Sequence, residues 1–325
     1  MNRLKTKYLG LNLKNPIILS SSGLTSSLER IKSAEEAGVG AVVLKSIFEE
    51  QILSEVANVD SYSDYPEAAD YLREYMTDNS LGNYVKLIQD IKRECTIPVI
   101  ASINCIDGGH WVDFAQVIET AGADAIEINI FHLSTDKNLS SEVIEKNYLD
   151  TIGSIRDAIT IPLSVKLASG FTNPLSIVRE IYYRNIQGVV LFNRFYAPDI
   201  DIEDMTMKSA GVFSSQTELP NIIRWTGLIS GSFPLIDIAA STGAHSGEDV
   251  IKLMLAGATA AELCSAIYEK GLSVIPEMLE FMKEWMTRHS FNDTKSFVGS
   301  MNVANIDSTV AYERTQFMKY YSNLR

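Results

Sequence analysis

The sequence predicts an α/β protein, a TIM (β/α)8 barrel with long insertions after its second and sixth strands. Three observations carry this. Eight short apolar runs, rich in β-branched residues, alternate with longer segments of helical period. A small-residue motif recurs where helices hand over to strands. No Pro/Ser-rich linker divides the chain, so one domain over residues 1–325 is expected.

The strands are expected at Pro16–Ser20, Ala41–Leu44, Pro98–Ile103, Ala125–Ile130, Pro162–Val165, Gly188–Phe192, Leu235–Ala239 and Ala260–Cys264. Near-continuous apolar runs of this length suit strands buried on both faces of a parallel sheet. Helices are expected at Leu28–Ala37, Tyr84–Glu94, Trp111–Ala121, Ser141–Ala158, Leu175–Arg184, Gly247–Leu255 and Ser273–Arg288. The joints read EAGVGAVVL, TAGADAIEI and LAGATAAEL, placing Gly38, Gly122 and Gly257 where a helix ends and the chain turns into a strand. The insertions are residues 46–83 and 193–218, on the face where a barrel carries its active site. A doubly wound open sheet is the structural rival. Its first turn should read GxGxxG, but SSSGLTSS holds a single glycine.

Composition narrows the function. Of 325 residues, 46% are hydrophobic and 21% charged, which argues against disorder. The formal charge of −13 argues against a nucleic-acid or anionic-membrane binder, since both need a basic face. Cys95, Cys105 and Cys264 are too far apart for a disulfide framework or a zinc site, and four scattered His make a metal centre unexpected. There is no signal-peptide pattern and no apolar run long enough to span a membrane. A cytoplasmic protein is expected.

Polar residues at strand C-terminal ends are the first functional suspects in a barrel. They are Ser21, Ser22 and Gly23 after strand one, then Lys45, Asn104, Asn129, Lys166 and Asn193 in strand order. Ser241, Thr242 and Gly243 follow strand seven, and Ser265 follows strand eight. The turns at Gly243 and Gly247, together with the helix N-termini beside them, offer backbone N–H groups to a phosphate. Simple turn chemistry is the plainer reading of both glycines. A phosphate site, two lysines and several amides describe FMN well, with Lys166 as the positive group near the flavin N1. The alternative for Lys166 is a Schiff-base lysine of a barrel lyase.

These residues resemble the dihydroorotate dehydrogenase family of FMN-dependent barrels. The resemblance runs from LGLNLKNPIILSSSG through VVLKS, NSLGN, AIEINI, LSVKL and VVLFN to STGAHSGEDVIKLMLAGAT and CSAIYEKG. It implies flavin contacts from Ser21, Ser22, Gly23, Lys45, Ser46, Asn129 and Lys166, and a phosphate cradle of Thr242, Gly243, Cys264 and Ser265. It implies substrate binding by Asn79, Asn129 and Asn193, with Ser134 close by in the motif after strand four. GVFSSQTELP is similar to the family's Gly-Gly-x-Ser-Gly flavin segment, but of its glycines only Gly211 is kept. Homodimerisation and dihydroorotate oxidation in pyrimidine biosynthesis are further implications.

The departure lies after Asn129. Where the soluble branch of the family reads N-x-S-C-P-N, this chain reads Asn129-Ile130-Phe131-His132-Leu133-Ser134, so His132 stands at the position of the catalytic base. An imidazole, with a pKa of ~6.5, can take a proton near neutral pH. Arg194 is a second departure: its guanidinium suits an anionic substrate, while a loop arginine also commonly serves as an ion-pair partner. Three functions follow from this reading. They are oxidation of dihydroorotate, flavin redox chemistry on another small anionic substrate such as a dihydropyrimidine, and Schiff-base chemistry on Lys166.

Overall fold

The computed structural model describes residues 3–48, 81–105, 111–130 and 133–314. Asn79, His132 and nearly all of the 46–83 insertion lie outside the described residues. An antiparallel hairpin, β1 (Thr6–Tyr8) and β2 (Leu11–Leu13), precedes the barrel. The eight barrel strands are β3 (Ile17–Leu19), β4 (Ala41–Val43), β6 (Val99–Cys105), β7 (Ala125–Ile130), β8 (Leu163–Leu167), β9 (Gly188–Leu191), β12 (Asp237–Ser241) and β13 (Ala260–Leu263). Each pairs in parallel with its neighbour, and the ring closes through β3–β4 and β4–β6, where Val42 lies opposite Val99. A short β5 (Ile47–Phe48) extends the edge of β6. Hairpin β10 (Pro198–Asp201) and β11 (Thr206–Ser209) falls in the second insertion.

All eight strands stand where the apolar runs place them, with three shifted towards their C-terminal ends. The third runs from Val99 to Cys105, the fifth from Leu163 to Leu167 and the seventh from Asp237 to Ser241. Leu235, read as a strand start, is 79% exposed. In the fifth and seventh strands the cause is the same: Lys166 and Ser241 are polar, yet they belong inside the ring, where other polar groups meet them.

Side chains alternate strictly along the strands. Ile17, Leu19, Val42, Ile126, Ile128, Val165 and Leu263 point outward into the layer between sheet and helices. Ile18, Ala41, Val43, Ile100, Ala125, Val190, Ala239 and Ala260 point inward. Four of these eight are alanines, too small to fill the lower barrel. Tyr8, Leu9 and Leu13 of the hairpin fill it instead and are fully buried. Leu9 and Gly10 both take positive φ (54° and 75°), the two-residue turn that suits a tight hairpin. Gly188 allows this packing: a Cβ there would lie 2.5 Å from Leu9 Cδ2.

Asp237 pins the hairpin, its Oδ2 accepting from Leu9 N at 2.7 Å. Burial pushes the carboxyl up to about 6, against the backbone N–H groups of Leu9 and Gly10, which pull it down. A folded value above the unfolded ~3.9 means that the folded state binds more protons between these pH values. The stability this group contributes is therefore full below about pH 4 and lost as pH rises through about 6. Asp237→Asn should flatten this part of the stability–pH curve, a change of about 2–3 kcal/mol measured by urea titration between pH 4 and pH 7.5.

The helices form the outer layer: α1 (Leu28–Ala37), α2 (81–94), α3 (Trp111–Ala121), α4 (Ser141–Ala158), α5 (Pro174–Tyr183), α6 (Leu219–Ser232), α7 (Gly247–Ala256), α8 (Ser265–Lys270) and α9 (Val274–Arg288). Gly38, Gly122 and Gly257 follow α1, α3 and α7 with φ of 103°, 100° and 119°, the left-handed cap that the recurring joint motif requires. Helix α6 was not expected, because Pro220, Gly227 and Gly231 weaken its helical pattern. Pro220 sits in the first turn, where it is tolerated. The glycines are needed for close approach: a Cβ on Gly227 would lie 2.2 Å from the Tyr312 ring, and one on Gly231 2.5 Å from Val303.

Candidate active site at the barrel mouth

Above the alanine layer the barrel interior becomes polar. Ser20, Ser102, Glu127, Ser164, Lys166, Ser241 and Glu262 point inward from their strands and are all buried. Lys166 Nζ lies at the centre, donating to Glu262 Oε2 at 2.6 Å, Ser20 Oγ at 3.1 Å and Glu127 Oε1 at 3.4 Å. Ser20 Oγ in turn donates to Glu262 Oε2 at 2.9 Å.

The charges on these groups follow from their surroundings. Burial alone would lower the Lys166 ammonium, but Glu127 and Glu262 together hold it above the usual lysine range. Burial and the neighbouring Glu262 carboxylate push Glu127 well up. Glu262, which burial alone would raise, is held low chiefly by Lys166.

Two adjoining cavities open over this ring, of about 370 Å³ and about 180 Å³. Ser21, Ser22, Lys45, Ser46, Asn104, Glu127 and Asn129 line the larger one. Ser20, Ser214, Ser241, Thr242, Gly243, Glu262, Cys264 and Ser265 line the smaller one. Ser21, Lys166, Asn193 and Arg194 border both. The structure thus brings together most of the residues singled out from strand ends. Gly23 and the half-buried Ser134 are not among the described residues lining either cavity.

On one side, hydroxyls connect three strands. Ser46 Oγ lies 3.1 Å from Ser21 Oγ and 2.8 Å from Ser102 Oγ, and Ser102 N donates to Tyr84 Oη at 2.9 Å. Lys45 stands exposed at the rim. Across the mouth, Asn193 Nδ2 donates to Asn129 Oδ1 at 2.8 Å, so the two amides act as one unit.

On the other side, the segment after β11 folds over the ends of β12 and β13. Ser214 N donates to Ser265 Oγ at 2.9 Å, and Gly243 N donates to Ser214 Oγ at 3.2 Å. His245 Nε2 lies 3.4 Å from the same hydroxyl, with Glu269 Oε2 3.3 Å from its Nδ1. Cys264 also faces this cavity, its thiol raised mainly by burial. Gly243 has φ of 86°. Gly247 belongs to a different arrangement: it packs against α9, where a Cβ would meet Met278 O at 2.7 Å. The α7 N-terminus is capped by Ser246 and carries Glu248 and Asp249 in its first turn, which disfavours an anion there. Gly247 therefore has a packing role, while the Gly243 turn borders the smaller cavity.

Arg194 serves the ion-pair reading. It meets Glu218 Oε1 at 3.2 Å and donates to the carbonyls of Val212 at 2.7 Å and Gly211 at 2.8 Å, holding the covering segment in place. The buried carboxyls Glu127 and Glu262 were not singled out from sequence, although both stand two residues before a strand-end residue that was: Asn129 and Cys264. Period two was the available signal. Among the described residues no cluster of ligating side chains could hold a metal ion, and no helix is long and apolar enough to cross a membrane.

A protein-family model described as dihydroorotate dehydrogenase matches residues 3–286. Among curated relatives, the chain is 25% identical to the catalytic subunit of dihydroorotate dehydrogenase B (NAD(+)) of Pyrococcus abyssi, over 91% of this chain and 98% of the relative. It is 25% identical to the subunit of that name from Methanocaldococcus jannaschii, over 86% and 94%. The Thermoplasma acidophilum subunit is 26% identical over 92% and 99%.

Proposed function

We infer that this chain, which belongs to the dihydroorotate dehydrogenase family, is an FMN-dependent oxidoreductase that converts dihydroorotate to orotate in pyrimidine biosynthesis. Residues 1–325 are read as a single FMN-binding barrel domain. The observation that carries the reading is Lys166, a buried charged ammonium at the meeting of two cavities, one walled by amides and the other by hydroxyls.

The residues present fit FMN. Hydroxyls and backbone at Ser214, Thr242, Gly243 and Ser265 converge on the smaller cavity, where a phosphate would meet them. Lys166 lies beneath the junction, where the pyrimidine edge of a flavin would find a positive group. Bound FMN would supply the hydride acceptor; the chain's own residues do the rest.

Ser21, Ser22, Lys45, Ser46, Asn129 and Lys166 are assigned to the flavin, and Thr242, Gly243, Cys264 and Ser265 to its phosphate. The Asn129–Asn193 pair, with Asn79, is assigned to the substrate, and Lys45 brings positive charge towards an anionic one. His132 is assigned as the base that takes the C5 proton of dihydroorotate, in place of the family's cysteine. A Schiff-base role for Lys166 is disfavoured, because a nucleophilic lysine must reach its neutral form and two carboxyl groups hold this one protonated.

The curated relatives are named as catalytic subunits of NAD+-linked enzymes. The same route is carried over here: a cytoplasmic, homodimeric catalytic subunit whose electrons pass to NAD+ through a partner. The decisive experiment is anaerobic titration of the FMN-loaded protein with dihydroorotate. The oxidised-flavin absorbance should bleach; bleaching by another dihydropyrimidine but not by dihydroorotate would move the assignment to the second substrate.

A further inference from the structure

The buried cluster under the cavities holds two carboxyl groups and only one ammonium. Glu262 Oε2 accepts from Lys166 and Ser20, and Glu127 Oε1 accepts from Lys166. The other two oxygens, Glu127 Oε2 and Glu262 Oε1, are inaccessible to solvent and have no donor. Both carboxyl groups instead converge on the same Lys166 Nζ, Glu262 at 2.6 Å and Glu127 at 3.4 Å. One ammonium cannot neutralise two ionised carboxylates held there, since each offers only lone pairs and both repel.

We propose that Glu127 and Glu262 share one proton, and that with Lys166 they form an electrically neutral cluster in which Glu262 positions the ammonium. One proton between the carboxyls satisfies two buried oxygens that would otherwise be orphaned. It also removes the net negative charge that two carboxylates and one ammonium would leave in the barrel interior. The raised Glu127 and the lowered Glu262 are the two faces of this single shared proton. Lys166 then meets the cavity as half of an ion pair. Its field at a bound flavin is weaker than that of a lone ammonium, and the flavin is held at a correspondingly lower potential.

Two measurements test this, and only the second rests on the FMN reading. In protein labelled with 13C-glutamate, the infrared spectrum at neutral pH should contain the carbonyl band of one protonated glutamic acid, shifting in D2O. Either E127Q or E262Q should abolish it, because the remaining carboxyl then pairs with Lys166 alone and ionises. Absence of the band in the wild type, or its survival in either variant, overturns the proposal. With FMN bound, E127Q/E262Q should move the two-electron equilibrium at least tenfold towards reduced flavin, a rise of about 30 mV. An unchanged potential in that variant also overturns it. If FMN fails to bind at all, the functional assignment falls while the infrared result still decides the shared proton. Should the double variant not fold, the single variants and the wild-type band carry the decision.

Discussion

Lys166→Ala is expected to slow flavin reduction by dihydroorotate about 10²–10³-fold, the usual effect of removing one preorganised donor from a reaction centre. It should also destabilise the fold by about 3–5 kcal/mol at neutral pH, because its loss leaves buried carboxyl groups without a cation. Stability and rate are separate readouts of the same side chain, since the ammonium is the partner of both Glu262 and Glu127. The pH dependence has a definite sign. In the wild type Glu262 is held below its unfolded value of ~4.3, so its contribution is present above that pH and lost as pH falls through the folded value. In the variant both carboxyls rise through burial, and the folded state binds extra protons on acidification. Between pH 7.5 and 5 the wild type therefore gains only through the raised Glu127, whereas the variant gains through both carboxyls. Urea titrations at pH 7.5 and 5 should show the gap narrowing; a gap of constant size would contradict the charge assignment, and stopped-flow anaerobic mixing gives the rate.

Gly243→Ala should weaken FMN binding about 10- to 100-fold, a loss of about 1.4–2.7 kcal/mol. The residue has φ of 86°, which costs a non-glycine about 1–3 kcal/mol by itself. Its added Cβ would lie 2.8 Å from Leu219 N and 3.1 Å from Leu219 Cα, backbone atoms that cannot rotate aside. Relief requires the Gly243 turn and the start of α6 to separate, which strains the bond from Gly243 N to Ser214 Oγ. Fluorescence titration of free FMN measures the loss. Gly271 provides the control: φ is 76°, but a Cβ there meets nothing within 4 Å. Gly271→Ala should lower stability and leave FMN affinity within about twofold, well under 1 kcal/mol.

The fold was legible where the barrel obeys simple burial. Strands such as Ala125–Ile130, covered on both faces, read directly as apolar runs, and glycines 38, 122 and 257 marked helix ends through a local backbone need. Legibility failed where a residue's place depends on a distant partner. Glu127 sits inside an apolar strand because Lys166, 39 residues on, accompanies it. Gly227 and Gly231 looked like interruptions of a helix because Tyr312 and Val303, which occupy their space, are far along the chain. The candidate site divides in the same way. Strand-end polar residues could be picked out singly, while the carboxyl pair beneath them and the cover supplied by Ser214 and Arg194 are properties of the assembled ring.

The hairpin that fills the lower barrel also constrains the order in which the molecule can be completed. Thr6 Oγ1 bonds to Thr259 O across 253 residues, and Leu9 N to Asp237 across 228. Closing loops of that length is entropically expensive, and long-range contacts of this kind slow folding. During synthesis the hairpin leaves the ribosome before the strands that bury it, with Tyr8, Leu9 and Leu13 lacking their pocket. That pocket exists only after Ala239 and Ala260 have been added and their strands have joined the ring. Until then these apolar side chains are a point of exposure to chaperones, proteases and other nascent chains. The hairpin is made before the strands that bury it, and is among the last elements to reach its place.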